Sequence, residues 1–299
     1  MRILFVTSNR LGDAVLSTGL LDRLIRTYPD ARFTVVCGAV AAGVFERMPN
    51  LERTIVLTKR PFGKHWLPLW AATVTTWWDL VVDIRGSALS WLVPARRRAT
   101  MRRVPGHKTE QLAAILGLNP PPLPVVWTAP EDHARVAALL PADRPFIAMA
   151  PTANWLPKIW PVERFVAAFA ALSGGDAVPV VIAGPGPTER AMAEPLLAAL
   201  PGAIDLVGCL SLPEIAACLS RAALFIGNDS GLMHVAAAAG APTLGLFGPT
   251  NPLEYGPAGP RARAVIASGG RMEDITVQQV VDAALEIQTP ARTMPGRRD

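Results

Sequence analysis

The 299-residue chain is poor in cysteine, in charge and in long apolar runs. Its three cysteines, Cys37, Cys209 and Cys218, are odd in number and lack C-x-x-C spacing or a nearby histidine cluster. That pattern argues against a disulfide framework or a zinc module and predicts buried, reduced thiols. Charged residues make up 18% of the chain against 51% hydrophobic, a balance that excludes disorder and suits two packed cores. The stretches 65–78 and 231–253 contain no Asp, Glu, Lys or Arg. The first is too short to span a bilayer and the second is broken by Gly and Pro, so no transmembrane helix is expected. The opening residues run from Arg2 through Thr7 into Asn9-Arg10-Leu11-Gly12-Asp13 with no long apolar region or small-residue cleavage site. No signal peptide is predicted, and the expected location is cytoplasmic. No G-K-[ST] P-loop, G-x-S-x-G elbow, H-E-x-x-H or D-x-D occurs. Metal-dependent chemistry therefore has no evident ligand set, and no metal or cofactor is expected.

What is present is a regular alternation. The 29 prolines and 24 glycines fall between apolar runs and read as loop punctuation. Short β-rich runs at 2–7, 33–37, 54–57 and 80–84 alternate with helical or irregular segments, the clearest helix being 14–27. A Pro-rich passage at 119–130 and a helix at 131–140 lead to a boundary at 141–145. A second series follows, with strands at 146–150, 178–183, 203–207, 223–226 and 243–247 and helices at 162–172, 189–200 and 212–220. A last helix at 276–287 is free to pack back toward the first half, and residues 289–299 read as a flexible tail. The expectation is two α/β halves, 1–143 and 144–299, each with a parallel sheet. The halves differ in charge: the first holds 18 Lys/Arg against 11 Asp/Glu, or +7, and the second 11 against 13, or −2.

The most informative segment is 227–250. An apolar strand runs into the turn Asn228-Asp229-Ser230, and a small-residue helix opens at Gly231. The free N–H groups of a helix start make an anion site. His234 lies one turn beyond Ser230, so Asp229, Ser230, Gly231 and His234 share the helix mouth. The strand at 243–247 ends in Gly248-Pro249-Thr250, which predicts a second loop at the same sheet edge, where ligands of α/β sheets bind. Asp13, between a strand and a helix, reads either as an N-cap or as a carboxylate facing a cleft as general base. Lys158, the only lysine after residue 108, follows the strand at 146–150 on a loop that also carries Asn154. It reads as a surface lysine or as a fixed ammonium for a diphosphate. The stretch 184–189 imitates a dinucleotide G-x-G fingerprint but has Glu189 where the third glycine belongs. Glu189 there is either part of a plain strand-to-helix turn or an acceptor for a ribose hydroxyl. A basic run, Arg96-Arg97-Arg98, Arg102-Arg103 and His107-Lys108, reads as a phosphate-attracting patch or as a solvated helix end.

Taken together, Arg10-x-Gly-Asp13, Trp78-Asp79-Leu-Val-Val-Asp83-x-Arg85-Gly86-Ser87, Asn154-Trp-x-Pro-Lys158-x-Trp160-Pro161 and Asp229-Ser-Gly-x-x-His234 resemble glycosyltransferase family 9, the bacterial heptosyltransferases of the lipopolysaccharide inner core. The resemblance spans most of the chain. It implies a GT-B architecture of two Rossmann-like domains facing a central cleft, with the acceptor on the first and an ADP-sugar donor on the second. It implies Asp13 as general base, Lys158 as phosphate-binding lysine, and Asn154, Glu189, Asp229, Ser230, Gly231 and His234 as donor contacts. Arg10, Arg85 and Arg96-Arg97-Arg98 would hold a phosphorylated glycolipid acceptor, with peripheral contact at an anionic membrane surface on the inner face of the inner membrane. The implied reaction is an inverting, metal-independent heptosyl transfer. Competing readings are a family member with another sugar nucleotide or acceptor and a non-catalytic nucleotide-sugar or nucleic-acid binder. A nucleic-acid partner is not expected, since such a reader would not need Asp13 or the Lys158 loop. A dehydrogenase is poorer still, because neither half has an intact G-x-G-x-x-G.

Overall fold

The computed structural model of the chain describes residues 1–58, 63, 65–101 and 104–288. The expected tail at 289–299 and Arg102-Arg103 of the basic run therefore lie outside the described residues. Among those described, two parallel sheets carry the core. The first contains β1 (Arg2–Val6), β2 (Arg32–Cys37), β3 (Leu51–Val56), β4 (Trp78–Asp83) and β5 (Ala95–Thr100), in the order β3-β2-β1-β4-β5. The second contains β6 (Phe146–Ala150), β7 (Val178–Val181), β8 (Ile204–Asp205), β9 (Leu224–Asn228), β10 (Thr243–Phe247) and β11 (Ala262–Ile266), in the order β11-β10-β9-β6-β7-β8. Strands β6, β9 and β10 are buried along their whole length. Their continuous apolar sequences follow from having helices on both faces of a parallel sheet.

The helices of the first half are α1 (Leu11–Thr27), α2 (Trp66–Val74), α3 (Leu89–Leu92), α4 (Lys108–Ile115) and α5 (Pro130–Ala137). Those of the second are α6 (Val162–Leu172), α7 (Pro187–Ala199), α8 (Leu212–Leu219), α9 (Gly231–Ala238), α10 (Pro252–Tyr255) and α11 (Val277–Gln288). No helix among the described residues is long and apolar enough to cross a membrane. Three expectations are corrected. Among the described residues the last helix, α11, packs chiefly within the second half, on α6, β10 and β11, with Val280, Ala283 and Ala284 buried in the core of the second sheet. Residues 95–100 form β5, at the edge of the first sheet, and are not a helix end. Cys209 is exposed in the turn after β8, whereas Cys37 and Cys218 are buried. Burial pushes the Cys37 thiol up to about 11 and that of Cys218 to about 12, which keeps both protonated and inert.

Topology fixes where chemistry can occur. In each sheet the connections reverse direction at one point, between β1 and β4 in the first and between β6 and β9 in the second. Side chains on the loops leaving those four strands converge at the carboxyl edges, where open α/β sheets bind ligands. The halves meet through the starts of α1 and α9. A Cβ on Gly12 would lie 2.7 Å from His234 Cδ2, and one on Gly231 would lie 2.7 Å from Leu11 Cδ2. Hydrogen at both positions is what lets the two helix starts touch. One hydrophobic cluster runs through the contact, from Phe5 and Leu16 in the first half to Phe225 and Met233 in the second.

Candidate functional site

Both switch points open onto one cleft of about 2010 Å³. That is more room than one small molecule needs, so two substrates fit together. The floor on the second half is built from β6 and β9. Buried Asn228, the last residue of β9, accepts from the Trp160 backbone N–H at Oδ1 (3.1 Å) and donates from Nδ2 to the Pro151 carbonyl (2.8 Å). One amide thus pins both ends of the loop 151–160 that carries Lys158. Trp160 itself is fully buried against Phe165, and its indole N–H donates to the Ile275 carbonyl. The lysine is aimed by its frame: its Nζ donates to Asp229 Oδ2 at 2.6 Å. Thr250, on the loop after β10, donates to the same oxygen at 2.9 Å. The expected convergence of the loops after β9 and β10 is therefore present.

Ser230 is the N-cap of α9, with extended backbone and no side-chain cap bond. Its Oγ and the Nδ1 of His234 are buried without a hydrogen-bond partner among the described residues. Buried polar atoms are nearly always paired, so two orphans at one helix mouth mark a place that receives a polar ligand. Burial pushes the His234 imidazole down to about 4; Asp229 pulls it upward, and His107 and Lys158 press it further down. The ring is therefore neutral at pH 7. A neutral imidazole brings one donor and one acceptor and no charge to the mouth.

Across the cleft, α1 begins at Leu11, earlier than the sequence suggests, with Arg10 at the cap position. Asp13 is thus not the N-cap but stands in the first helical turn, half-buried, accepting from Ser8 Oγ at 3.1 Å. Arg85, on the loop after β4, donates to Asn9 Oδ1 (3.0 Å) and lies over the Trp66 ring. That loop is shaped by buried Asp83, which accepts from the backbone N–H groups of Arg85 and Ser87 and from the Ser87 hydroxyl. A second bridge between halves comes from the start of α4. His107 Nε2 reaches the Gly256 carbonyl (3.0 Å), and Gln111 donates to Glu254 (3.3 Å).

A sequence model of glycosyltransferase family 9 (heptosyltransferase) matches residues 107–284. The chain belongs to glycosyltransferase family 9. It is 33% identical to lipopolysaccharide heptosyltransferase 2 of Escherichia coli K12 over 89% of this chain and 88% of that protein. It is 28% identical to lipopolysaccharide heptosyltransferase 1 of Pseudomonas aeruginosa, over 84% of this chain and 80% of that protein. Among solved structures, the family 9 glycosyltransferase of Veillonella parvula superposes with a TM-score of 0.80 at 22% identity, covering 96% of this chain and 97% of that one. The two parallel-sheet halves are accordingly the GT-B arrangement.

Within this family 9 chain the structure gathers most of the predicted residues. Arg10, Asp13, Arg85, Asn154, Lys158, Glu189, Asp229, Ser230, Gly231 and His234 all line the cleft. Arg96, Arg97 and Arg98 do not. They lie on β5, and Arg98 spends its guanidinium on the carbonyls of Ser90, Val93 and Ala95. His107 and Lys108, from the end of the same basic run, do reach the cleft. Sequence reasoning missed Asn228 and Thr250 as framing residues and Tyr255 as a wall. Thr250 had a signal, its place at the end of an apolar strand; Asn228 had only its position before Asp229.

Proposed function

We propose that this chain transfers a heptose-type sugar from an ADP-sugar to a lipopolysaccharide core acceptor with inversion at the anomeric carbon. The observation that carries the reading is the opposition, across one cleft, of the Asp13 carboxylate and the Lys158–Asp229–Thr250 cluster at the mouth of α9. A diphosphate fits the cluster chemically. Lys158 Nζ has donors beyond the one Asp229 takes, the helix start offers N–H groups, and Ser230 Oγ and His234 Nδ1 are free to bond. Glu189 and Asn154, further along the same wall, are assigned to the ribose and the diphosphate respectively.

In the reaction, the Asp13 carboxylate takes the proton of the attacking acceptor hydroxyl as that oxygen bonds to the anomeric carbon. The bond from that carbon to the diphosphate oxygen breaks through an oxocarbenium-like transition state. Its electron pair departs with ADP, and Lys158 and the α9 N-terminus stabilise the growing charge. Arg10 and Arg85, on Asp13's side of the cleft, hold the phosphorylated acceptor. In this reading a metal is not required: transfer is expected to survive EDTA, and loss with recovery on added magnesium, manganese or iron would overturn that part.

The test of the donor is a screen by melting shift with ADP-, UDP- and GDP-linked sugars, followed by product analysis with a core acceptor. A ligand at a hundred times its Kd raises stability by about 2.7 kcal/mol, an easily read shift. ADP-heptose is expected to give the largest shift and a transferred heptose; a larger shift and transfer with another nucleotide sugar would replace the donor assignment.

A further inference from the structure

Five tryptophans lie in residues 66–91, and the cleft uses none of them as a wall. Three of the apolar side chains of this region are among the most exposed of their kind in the molecule: Leu67 and Trp91 at 68% and Trp77 at 64%. They form one surface. On α2, Leu67 and Trp70 are three residues apart and so share a helix face. Trp70 leans over to α3, where its indole N–H donates to the carbonyl of exposed Leu92 at 2.9 Å. Trp77 is brought alongside by the bond from the Trp78 N–H to the Pro94 carbonyl at 3.1 Å.

Charge is fixed beside this surface. Arg98 donates to the carbonyls of Ser90, Val93 and Ala95 around the turn from α3 to β5 and holds its guanidinium 5.8 Å from the centre of the Trp91 ring. Arg96, two residues before it, is exposed on the same face of the edge strand β5, and Arg97 is exposed on the opposite face. The patch also adjoins the cleft, because the Trp66 ring that opens α2 lies under the guanidinium of Arg85.

We propose that the α2–α3 face and β5 form a docking surface for an anionic lipid bilayer. The proposal rests on the glycolipid-acceptor reading and adds where the bilayer lies: the lipid stays in the membrane beneath Leu67, Trp77 and Leu92 while the headgroup passes Arg85 into the cleft. Indole rings with a polar edge settle at headgroup depth, and each nearby arginine adds attraction to anionic lipid. A second copy of the chain fits poorly, since pairing β5 with β5 would set like-charged arginines against each other. A single-stranded nucleic acid would stack on aromatic faces, and here the Trp91 face is already covered by Arg98 while the aliphatic Leu67 and Leu92 offer bases nothing.

The test is co-sedimentation of the full chain with phosphatidylcholine vesicles with or without about one-third phosphatidylglycerol, at low and moderate salt. Two double variants accompany it: Trp77→Ser with Leu92→Ser, and Arg96→Gln with Arg97→Gln. The wild type is expected to bind anionic vesicles, less so in salt, and each pair to lower partitioning by about tenfold or more. Transfer to a deacylated, water-soluble acceptor by the Trp77/Leu92 variant should match wild type, which also shows that the variant is folded. Equal binding to neutral vesicles, or binding unaffected by both pairs, would overturn the proposal. A dimer that dissociates in the Trp77/Leu92 variant, or oligonucleotide binding as tight as vesicle binding, would overturn it too. If no acceptor, soluble or lipid-bound, is glycosylated while vesicle binding behaves as expected, the acceptor reading fails and the docking surface stands.

Discussion

Lys158 and Asp229 pair at 2.6 Å on the wall of the cleft, and they are expected to respond differently to substitution. Lys158→Met removes the ammonium and should weaken ADP by about tenfold to a hundredfold, the value of one charge-assisted contact to phosphate, as read by calorimetry. Asp229→Asn keeps the volume and an acceptor oxygen but removes the charge that holds Lys158, so its main effect should fall on kcat through misplacement of the lysine. His234 predicts a pH effect on stability. Its folded-state value is held at about 4 by burial, against 6.5 in an unfolded chain. The unfolded state therefore takes up the proton first, and stability present above pH 6.5 is lost as pH falls toward 4. The loss is on the order of 3 kcal/mol at the bottom of that window. Urea melts across it should show the loss in wild type and a much flatter profile in His234→Gln; an equally steep profile in the variant would assign the loss elsewhere. The convergence of Asp13, Lys158, Asp229 and His234 on one cleft was legible from the sequence because each stands on the loop or in the first helical turn that follows an apolar strand. The role of Asn228 was not, because its partners are 68 and 77 residues away and are backbone atoms with no sequence signature.

At the scale of elements, the contact between α1 and α9 depends on two residues without side chains. Gly12→Ala would drive a methyl to 2.7 Å from His234, and Gly231→Ala would do the same to Leu11. Either change is expected to cost about 1–3 kcal/mol by overpacking, measured by urea denaturation. Neutral stability in both variants would mean that the two helix starts are not in contact. The strand that the sequence hid is β5. Its residues, Ala95-Arg-Arg-Arg-Ala-Thr100, carry no apolar alternation, and an arginine run reads as a solvated patch. An edge strand with charged side chains is nevertheless stable where β4 supplies the ladder, and the charges discourage pairing with another chain. The strands on either side of the switch points were legible for the opposite reason: burial on both faces leaves continuous apolar runs that need no alternation to be seen.

At the scale of the whole molecule, the two sheets were readable as two series of alternating elements, but how they face each other was not. That geometry comes from the α1–α9 contact, the His107–Gly256 and Gln111–Glu254 bridges, and the placement of α5 on α8 of the other half with Arg47 pairing Asp132. None of these is periodic, and each joins residues far apart in sequence. Their joint effect is to set the Asp13 carboxylate, on α1 of the first half, opposite the Lys158 and α9 cluster of the second. In the proposed reaction the first does proton transfer and the second holds the departing nucleotide. The most direct measurement is heptosyl transfer from ADP-heptose by wild type and by Asp13→Asn, with ADP affinity determined on the same samples. A general base is worth about 10²–10⁴ in rate, so kcat is expected to fall by that factor while ADP binds within about threefold of wild type. Turnover by Asp13→Asn at the wild-type rate would contradict the account.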